Sequence, residues 1–401
     1  MGLFNFFKRK TPHARFVEEM KARFDATGVF ADLRYQPENF CFSGTKPDGS
    51  QLNIFLNNVY EYASQANADE REATITRFVR STTDLPEVPH DYALAKAKVM
   101  PSVRSRMDTA VNRLLNPLHG MFAPNHVAWP VAADLEMLLS YDGADSIVRL
   151  DADHVVKWGI DRDELYAQAV DNLRLRGPEQ FNTTERGLHL SAWQDDYDNA
   201  RLLLPDVLRR LPVTGELLAM GPSRNDLFVT GSEQRDAILE MAHLANQVLE
   251  NAPRYESAAV LVLRGDRWQK WTYDPADYPT LARVQRLWLA RDYANQKDLL
   301  EQLAQKQNDD IFVATHILTE HNPTKALTTY ATWTEGVRAL LPHADVIVFT
   351  RGDKTMQVPW PAAQRIVGDH LARTTDYPVR YRVEHFPDQA QWAALQQVAD
   401  D

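Results

Sequence analysis

The sequence predicts a mixed α+β protein of two to three domains, with antiparallel, hairpin-rich sheets packed with helices. Three observations predict it. Short apolar runs recur in pairs around turn-forming stretches (KPDGS, YDGADS, PSRND and two RGD triplets), the pattern of β-hairpins. Between them stand segments with apolar residues at helical spacing, opened by capping residues or closed by glycine. The chain has 401 residues, more than the roughly 250 to 300 at which a single core stops growing.

Residues 1–12 are expected to form a flexible apolar and basic tail, 13–115 an N-terminal α+β subdomain, 116–275 a central α+β core and 276–401 a C-terminal α+β domain. The apolar part of the tail is shorter than the roughly 7 to 15 residues of a signal-peptide core. Phe4, Phe6 and Phe7 beside Lys8, Arg9 and Lys10 suit weak contact of residues 1–10 with a membrane interface. Phe6 occupies the place where a myristoylation motif needs Ser or Thr. Residues 13–83 read helix, strand, strand, helix: Phe16, Val17, Met20 and Phe24 share one face and Gly28 stops the helix, while ENFCFSG and QLNIFL flank the KPDGS turn. TTDLPEVPHD is a linker.

A basic, polar helix around VRSRMDTAVNRLLN comes next. VAADLEMLLSYDGADSIVRLDADHV then reads as two strands about the YDGADS turn, the second entered at Ile147. In WGIDRDELYAQAVDNLRLRG, Asp161 is the N-cap, Glu164 completes a capping box, Ile160 and Leu165 form a staple, and Leu165, Ala169 and Leu173 make the apolar stripe. GELLAMGPSRNDLFVTGS is a hairpin, after which Ser232 caps a helix carrying Ile238, Met241, Ala245 and Val248. YESAAVLVLRGDRWQKWTYDP and DVIVFTRGDKTMQVPW are hairpins whose Gly265 and Gly352 take the left-handed turn position, which is the reason for both RGD triplets. From residue 279 one or two long helices run through ARVQRLWLARDYANQKDLLEQLAQKQ. The rest is expected as strand 311–319, strand 326–333, a short helix EGVRALLP, the second RGD hairpin, a helix opened by Pro361, strand 379–386 and a terminal helix.

The bulk composition bears on partners. A formal charge of -11 opposes the phosphate backbone, so nucleic acid is not expected as a partner. The single cysteine, Cys41, excludes intrachain disulfides and cysteine-based zinc clusters and suits a cytoplasmic location. Lying in ENFCFSG, it reads as a small buried strand residue. No apolar run is long enough to span a bilayer.

The segment DIFVATHILTEHNP invites a metal reading, because His316, Glu320 and His321 stand close together. The inverted zinc motif needs histidines four apart, and these are five apart. On a helix that separates them by about 140°, and on a strand it sends them to opposite faces. The apolar IFVATHIL favours a strand with His316 beside Phe312, Ala314 and Leu318, so no metal is expected. Phosphate-cradling glycine loops, a GxSxG elbow and a calcium loop are absent, and no cofactor is expected. Arg224, Asn225 and Asp226 sit at a hairpin tip, where binding residues are often displayed and turn chemistry is equally served. Asp142 and Asp145 flank another turn.

Trp158, Gly159, Glu164, Leu165, Ala169, Asn172 and Leu173, with Arg224, Asn225 and Asp226, form a pattern that resembles the YtpQ-like family of bacterial proteins (domain of unknown function 1444). The likeness covers about residues 13–275 and leaves 276–401 as an additional domain. It implies a soluble bacterial cytoplasmic protein and carries over no activity. The expectation is a non-enzymatic module that binds a protein or a small-molecule ligand. The alternative is a hydrolase or transferase using Asp142, Asp145, Arg224 and Asp226 in an interdomain cleft.

Overall fold

A computed structural model describes residues 11–400, apart from positions 48 and 50 and segments 85–87, 120–125, 144–146, 178–179, 252–254 and 322–325. The N-terminal GLFNFFKRK stretch and Asp145 therefore lie outside the described residues. The class is α+β, with five antiparallel or mixed sheets among the described residues. Two compact units divide the chain: residues 1–99 with 140–149, and residues 100–139 with 150–401.

In unit 1, α1 (Pro12–Thr27) is capped by the Thr11 hydroxyl and closed by Gly28 at φ 67°. It is followed by β1 (Asp32–Gln36), β2 (Cys41–Thr45), β3 (Gln51–Phe55), α2 (Asn57–Gln65), α3 (Ala68–Thr83) and the short α4 (Tyr92–Ala95). The expected hairpin is β2–β3, and the sequence reading missed β1, an antiparallel neighbour of β2. Its DLRYQ is mostly polar and buries only Leu33, so it carries little apolar signal. Phe16, Met20 and Phe24 of α1 pack with Phe42, Ile54 and Ile75. Gly44 is required by close approach, since a Cβ there would stand 2.5 Å from the Phe30 ring. Cys41 is buried, and burial pushes its thiol pKa up, away from nucleophilic chemistry.

Unit 2 begins in β4 (Val99–Ser105), followed by α5 (Arg106–His119), β5 (Ala128–Ala132) and β6 (Leu135–Asp142), with β6 between β4 and β5. Residues 140–149 of unit 1 turn back as β7 (Ile147–Arg149), entered at Ile147 as expected. Next come α6 (Ala152–Trp158) and α7 (Arg162–Arg174). Asp161 caps α7 by accepting from the Asp163 amide at 2.8 Å, not through a reciprocal box with Glu164. A carboxylate this short reaches the second amide of the helix as easily as the third.

A six-stranded antiparallel sheet is built from β8 (Phe181–Thr183), β9 (His189–Ser191), β10 (Leu217–Ser223), β11 (Asp226–Gly231), β12 (Leu261–Arg264) and β13 (Arg267–Lys270), in the order β13-β12-β10-β11-β9-β8. The short α8 (Pro205–Leu208) precedes β10. Against the sheet packs α9 (Arg235–Asn251), which buries Ile238, Met241 and Ala245. Ser232 does not cap it. Its hydroxyl accepts from the Glu216 amide at 2.9 Å and fastens the β10–β11 hairpin instead.

One unbroken helix, α10 (Pro279–Gln307), leads into the C-terminal region. Its buried stripe runs Leu281, Val284, Trp288, Asp292, Gln296 and Leu300, and the upper part joins the core under α9. Beyond it lie β14 (Phe312–Val313), β15 (Ile317–His321), β16 (Ala326–Thr334), β17 (Ala339–Pro342), β18 (Val346–Arg351), β19 (Lys354–Pro359), α11 (Trp360–Val367), β20 (Ala372–Arg373), β21 (Arg380–Val383) and α12 (Gln389–Asp400). They form two mixed sheets, β14-β17-β21-β20 and β15-β16-β18-β19, around Trp333, Phe349, Trp360 and Leu395.

Two sequence expectations fail in this region. Strand 311–319 is broken: β14 and β15 belong to different sheets, and His316 sits in the bend between them. EGVRALLP is not a helix. Gly336, at φ 76°, turns the chain, and the fully buried ALLP becomes β17 between β14 and β21. Pairing on both edges outweighs the helical preference of Ala and Leu.

Arg380 locks α10 to this region. Its guanidinium is fully buried and donates to Gln296 Oε1 at 2.6 Å and to the carbonyls of Ala314, Leu340 and Tyr293 at 2.7, 3.1 and 3.3 Å. Burial pulls its pKa down to about 10, which leaves it charged at neutral pH. Arg380→Met removes all four hydrogen bonds, including the one to the buried Gln296 Oε1, and is expected to cost on the order of 3 kcal/mol in urea unfolding. Unchanged stability would contradict the role assigned to Arg380.

Candidate functional site

Within unit 2 the chain encloses a cleft of about 500 Å³, inside the usual range for small-molecule sites. Its lining comes from the β5–β6 turn with Asp134, the stretches around Ala258 and Tyr273, α10, Thr329 of β16, and the three loops carrying His316, His343 and Tyr377. Residues on both sides of position 275 line it, all of them inside unit 2.

One end is acidic. Asp292 is 1% exposed and accepts a hydrogen bond at Oδ1 from the Tyr255 hydroxyl at 2.9 Å. Among the described residues its Oδ2 accepts none. Asp134 accepts from Ser257 Oγ at 2.6 Å on Oδ1 and, over 3.4 Å, from the Tyr377 hydroxyl on Oδ2. Ala133, at φ 52°, turns the backbone that carries Asp134 onto the cleft wall. The side-chain donors are all neutral hydroxyls, Asp134 takes its own backbone amide besides, and among the described residues neither carboxyl forms an ion pair, although the charge of Lys270 favours ionised Asp134.

Burial raises both acids, Asp292 to about 7, and the negative charge of Asp134 pushes Asp292 further in that direction. Burial, followed by the charges of Asp134 and Asp292, lifts the Tyr377 phenol far above its ordinary range. The guanidinium of Arg291 lies 4.5 Å from the centre of the Tyr255 ring and supports Asp292 only at a distance.

The other end is compensated. Burial would raise Asp345, but hydrogen bonds from Arg286 and from the amide and hydroxyl of Thr329, at 2.8 and 2.9 Å, hold it below the usual carboxylate range. Thr329 owes its inward position to the strict alternation of β16, where Leu327, Thr329, Ala331 and Trp333 all point to the buried face. His316 stacks on Tyr293 with ring centroids 4.6 Å apart, and neither ring nitrogen has a hydrogen-bond partner. Burial, then the charge of Arg380, lowers its pKa to about 4, so it is neutral. Trp288 Nε1 is likewise without a partner, in a side chain 2% exposed.

The residues proposed from sequence lie elsewhere. Arg224 pairs with Asp196 at 3.1 Å, and Asp226 takes the Ser223 hydroxyl, so both finish the β10–β11 turn. Asp142 ends β6 in unit 1, and Asp145 is outside the described residues. None of the three described ones lines the cleft. His321 bonds Thr328 at 3.0 Å on the exposed β15 hairpin, away from the buried surroundings of His316. Among the described residues no group of three or more His, Cys, Asp or Glu is arranged to hold a metal. No helix among them is long and apolar enough to cross a membrane.

Sequence reasoning missed Asp292 and Asp134. A signal for the first was present, because Asp292 occupies the apolar stripe of α10, where an unpaired acid conflicts with the helix pattern. Asp134 looked like turn chemistry. Comparison with known proteins adds no assignment: no family model, curated protein or solved structure matches the chain.

The two shifted groups make opposite contributions to stability against pH. Folded Asp292 keeps its proton up to about pH 7 while the unfolded carboxyl loses it near 3.8, so its contribution is lost as pH rises across that window. Folded His316 stays neutral down to about pH 4 while the unfolded ring protonates near 6.5, so its contribution is lost as pH falls. Asp292→Asn removes the first effect and keeps the acceptor for Tyr255. Measured against the native chain by urea unfolding, the variant should gain up to about 4 kcal/mol between pH 4 and pH 8. A difference that stays flat with pH would refute the assignment.

Proposed function

We propose that unit 2 is a small-molecule-binding module whose ligand occupies this cleft, in a soluble, cytoplasmic, YtpQ-like regulatory protein. One observation carries the reading: two carboxyl groups in a concave site take hydrogen bonds from neutral donors only and form no ion pair among the described residues. Holding acids in that state costs folding energy that no internal ion pair returns. Groups that cost stability in the free protein and lie in a concave, partly aromatic cleft are those a binding site retains.

A second reading, an enzyme of the hydrolase or transferase class, draws on Asp292. A carboxyl with a pKa of about 7 exchanges protons readily at neutral pH and is matched to general acid or base work. Binding is preferred because the hydroxyl that donates to Asp134, that of Ser257, is fully buried and does not line the cleft, so it is not presented to a substrate there.

Ala282 lines the cleft from α10 and is only partly buried, so a larger side chain can enter the space without breaking the helix. Ala282→Trp should keep the native melting temperature within a few degrees. It should also abolish the thermal stabilisation given by small molecules found in a metabolite screen of the native chain. Stabilisation by the same compounds in native and variant protein alike would place their site elsewhere and defeat the proposal.

A further inference from the structure

Resting on the reading of the cleft as a ligand site, we infer that the ligand presents an N–H-bearing organic cation, an ammonium or guanidinium group, to Asp134 and Asp292. The side chains that donate to both acids are hydroxyls, Asp134 takes its own backbone amide besides, and Asp292 Oδ2 is left as an acceptor without a donor among the described residues. A cation with several N–H groups supplies the missing donor and the missing countercharge together.

A second, independent observation points to a ligand in the same space. His316 is 9% exposed with both ring nitrogens unpartnered, and Trp288 Nε1 has no acceptor, yet both residues line the cleft. Buried polar atoms are nearly always satisfied, so these mark positions that an occupant completes. Because His316 is neutral, it adds no positive charge to compete with the ligand. The aromatic residues Trp288, Tyr273 and Tyr377 on the wall suit a cation, whose charge is attracted to ring faces.

An anion is poorly served. The cationic group of Arg286 is already engaged by Asp345, and Lys270 is exposed at the rim. A bare metal ion needs more oxygen ligands than two carboxylates, and no cluster of three candidate ligands exists among the described residues. Binding of the cation draws Asp292 into its ionised form and releases the proton it holds, so affinity rises with pH between about 6 and 8.

The test is calorimetric titration of the full chain with 2-phenylethylammonium and phenylguanidinium, with the neutral isostere 2-phenylethanol, and with the anion phenylacetate. The cations should bind at least about tenfold more tightly than the alcohol and the anion. Asp292→Asn and Asp134→Asn should each weaken the cations about tenfold or more and leave 2-phenylethanol unchanged. If the alcohol or phenylacetate binds as well as the cations, or both Asn variants keep native cation affinity, the cation is wrong while the cleft stands. If no probe binds, or if binding survives Ala282→Trp, both readings fail together.

Discussion

The constraint on which the rest of unit 2 turns is the placement of Asp292 in the buried stripe of α10 without an ion-pair partner among the described residues. That stripe is apolar at Leu281, Val284, Trp288 and Leu300, and it ties the core under α9 to the C-terminal sheets. Two of its positions are polar, and they are handled differently. Gln296 is bonded at both amide atoms, donating to the Pro378 carbonyl at 2.7 Å and accepting from Arg380, so it serves the architecture. Asp292 has one hydroxyl donor and an unused oxygen, an arrangement that packing alone does not require.

The surroundings show what a structural solution looks like. Asp345 is met by Arg286 and twice by Thr329. Arg201, another buried charge, is held by Asp195 through bonds of 2.9 and 2.8 Å and lies 4.0 Å from the centre of the Trp193 ring. Glu256 pairs with Arg104 at 3.0 Å and takes the Ser105 amide at 2.7 Å. Asp198, fully buried and without an ion pair among the described residues, still takes an amide on each oxygen, from Gln194 at 3.3 Å and Asp195 at 3.4 Å. Asp292, with one oxygen unused, stands out by contrast.

Much of the architecture was legible wherever local signals and burial agree. The α7 cap at Asp161, the β10–β11 hairpin around Arg224–Asp226 and both RGD turns follow from short-range chemistry that the tertiary structure leaves in place. Two of the misreadings share a cause: β17 and the broken strand at His316 are decided by neighbours far away in the chain, which periodicity does not encode. The candidate site was almost invisible for the same reason. Ser257 and Asp134 are 123 positions apart, and Tyr377 and Asp134 are 243 apart. Turn-tip polar residues such as Arg224 and Asp226 drew attention because turns concentrate polar groups. The signal that mattered was an acid where the α10 stripe calls for an apolar residue.

Burial, with the charge of Asp134 nearby, brings the titration of Asp292 up to neutrality. Carbon-13 NMR of a chain labelled at the aspartate carboxyls measures this directly, with Asp292→Asn to assign the resonance. A titration midpoint near pH 7 is expected in the free protein. A midpoint at about 4, the range of an ordinary solvated or ion-paired aspartate, would contradict it.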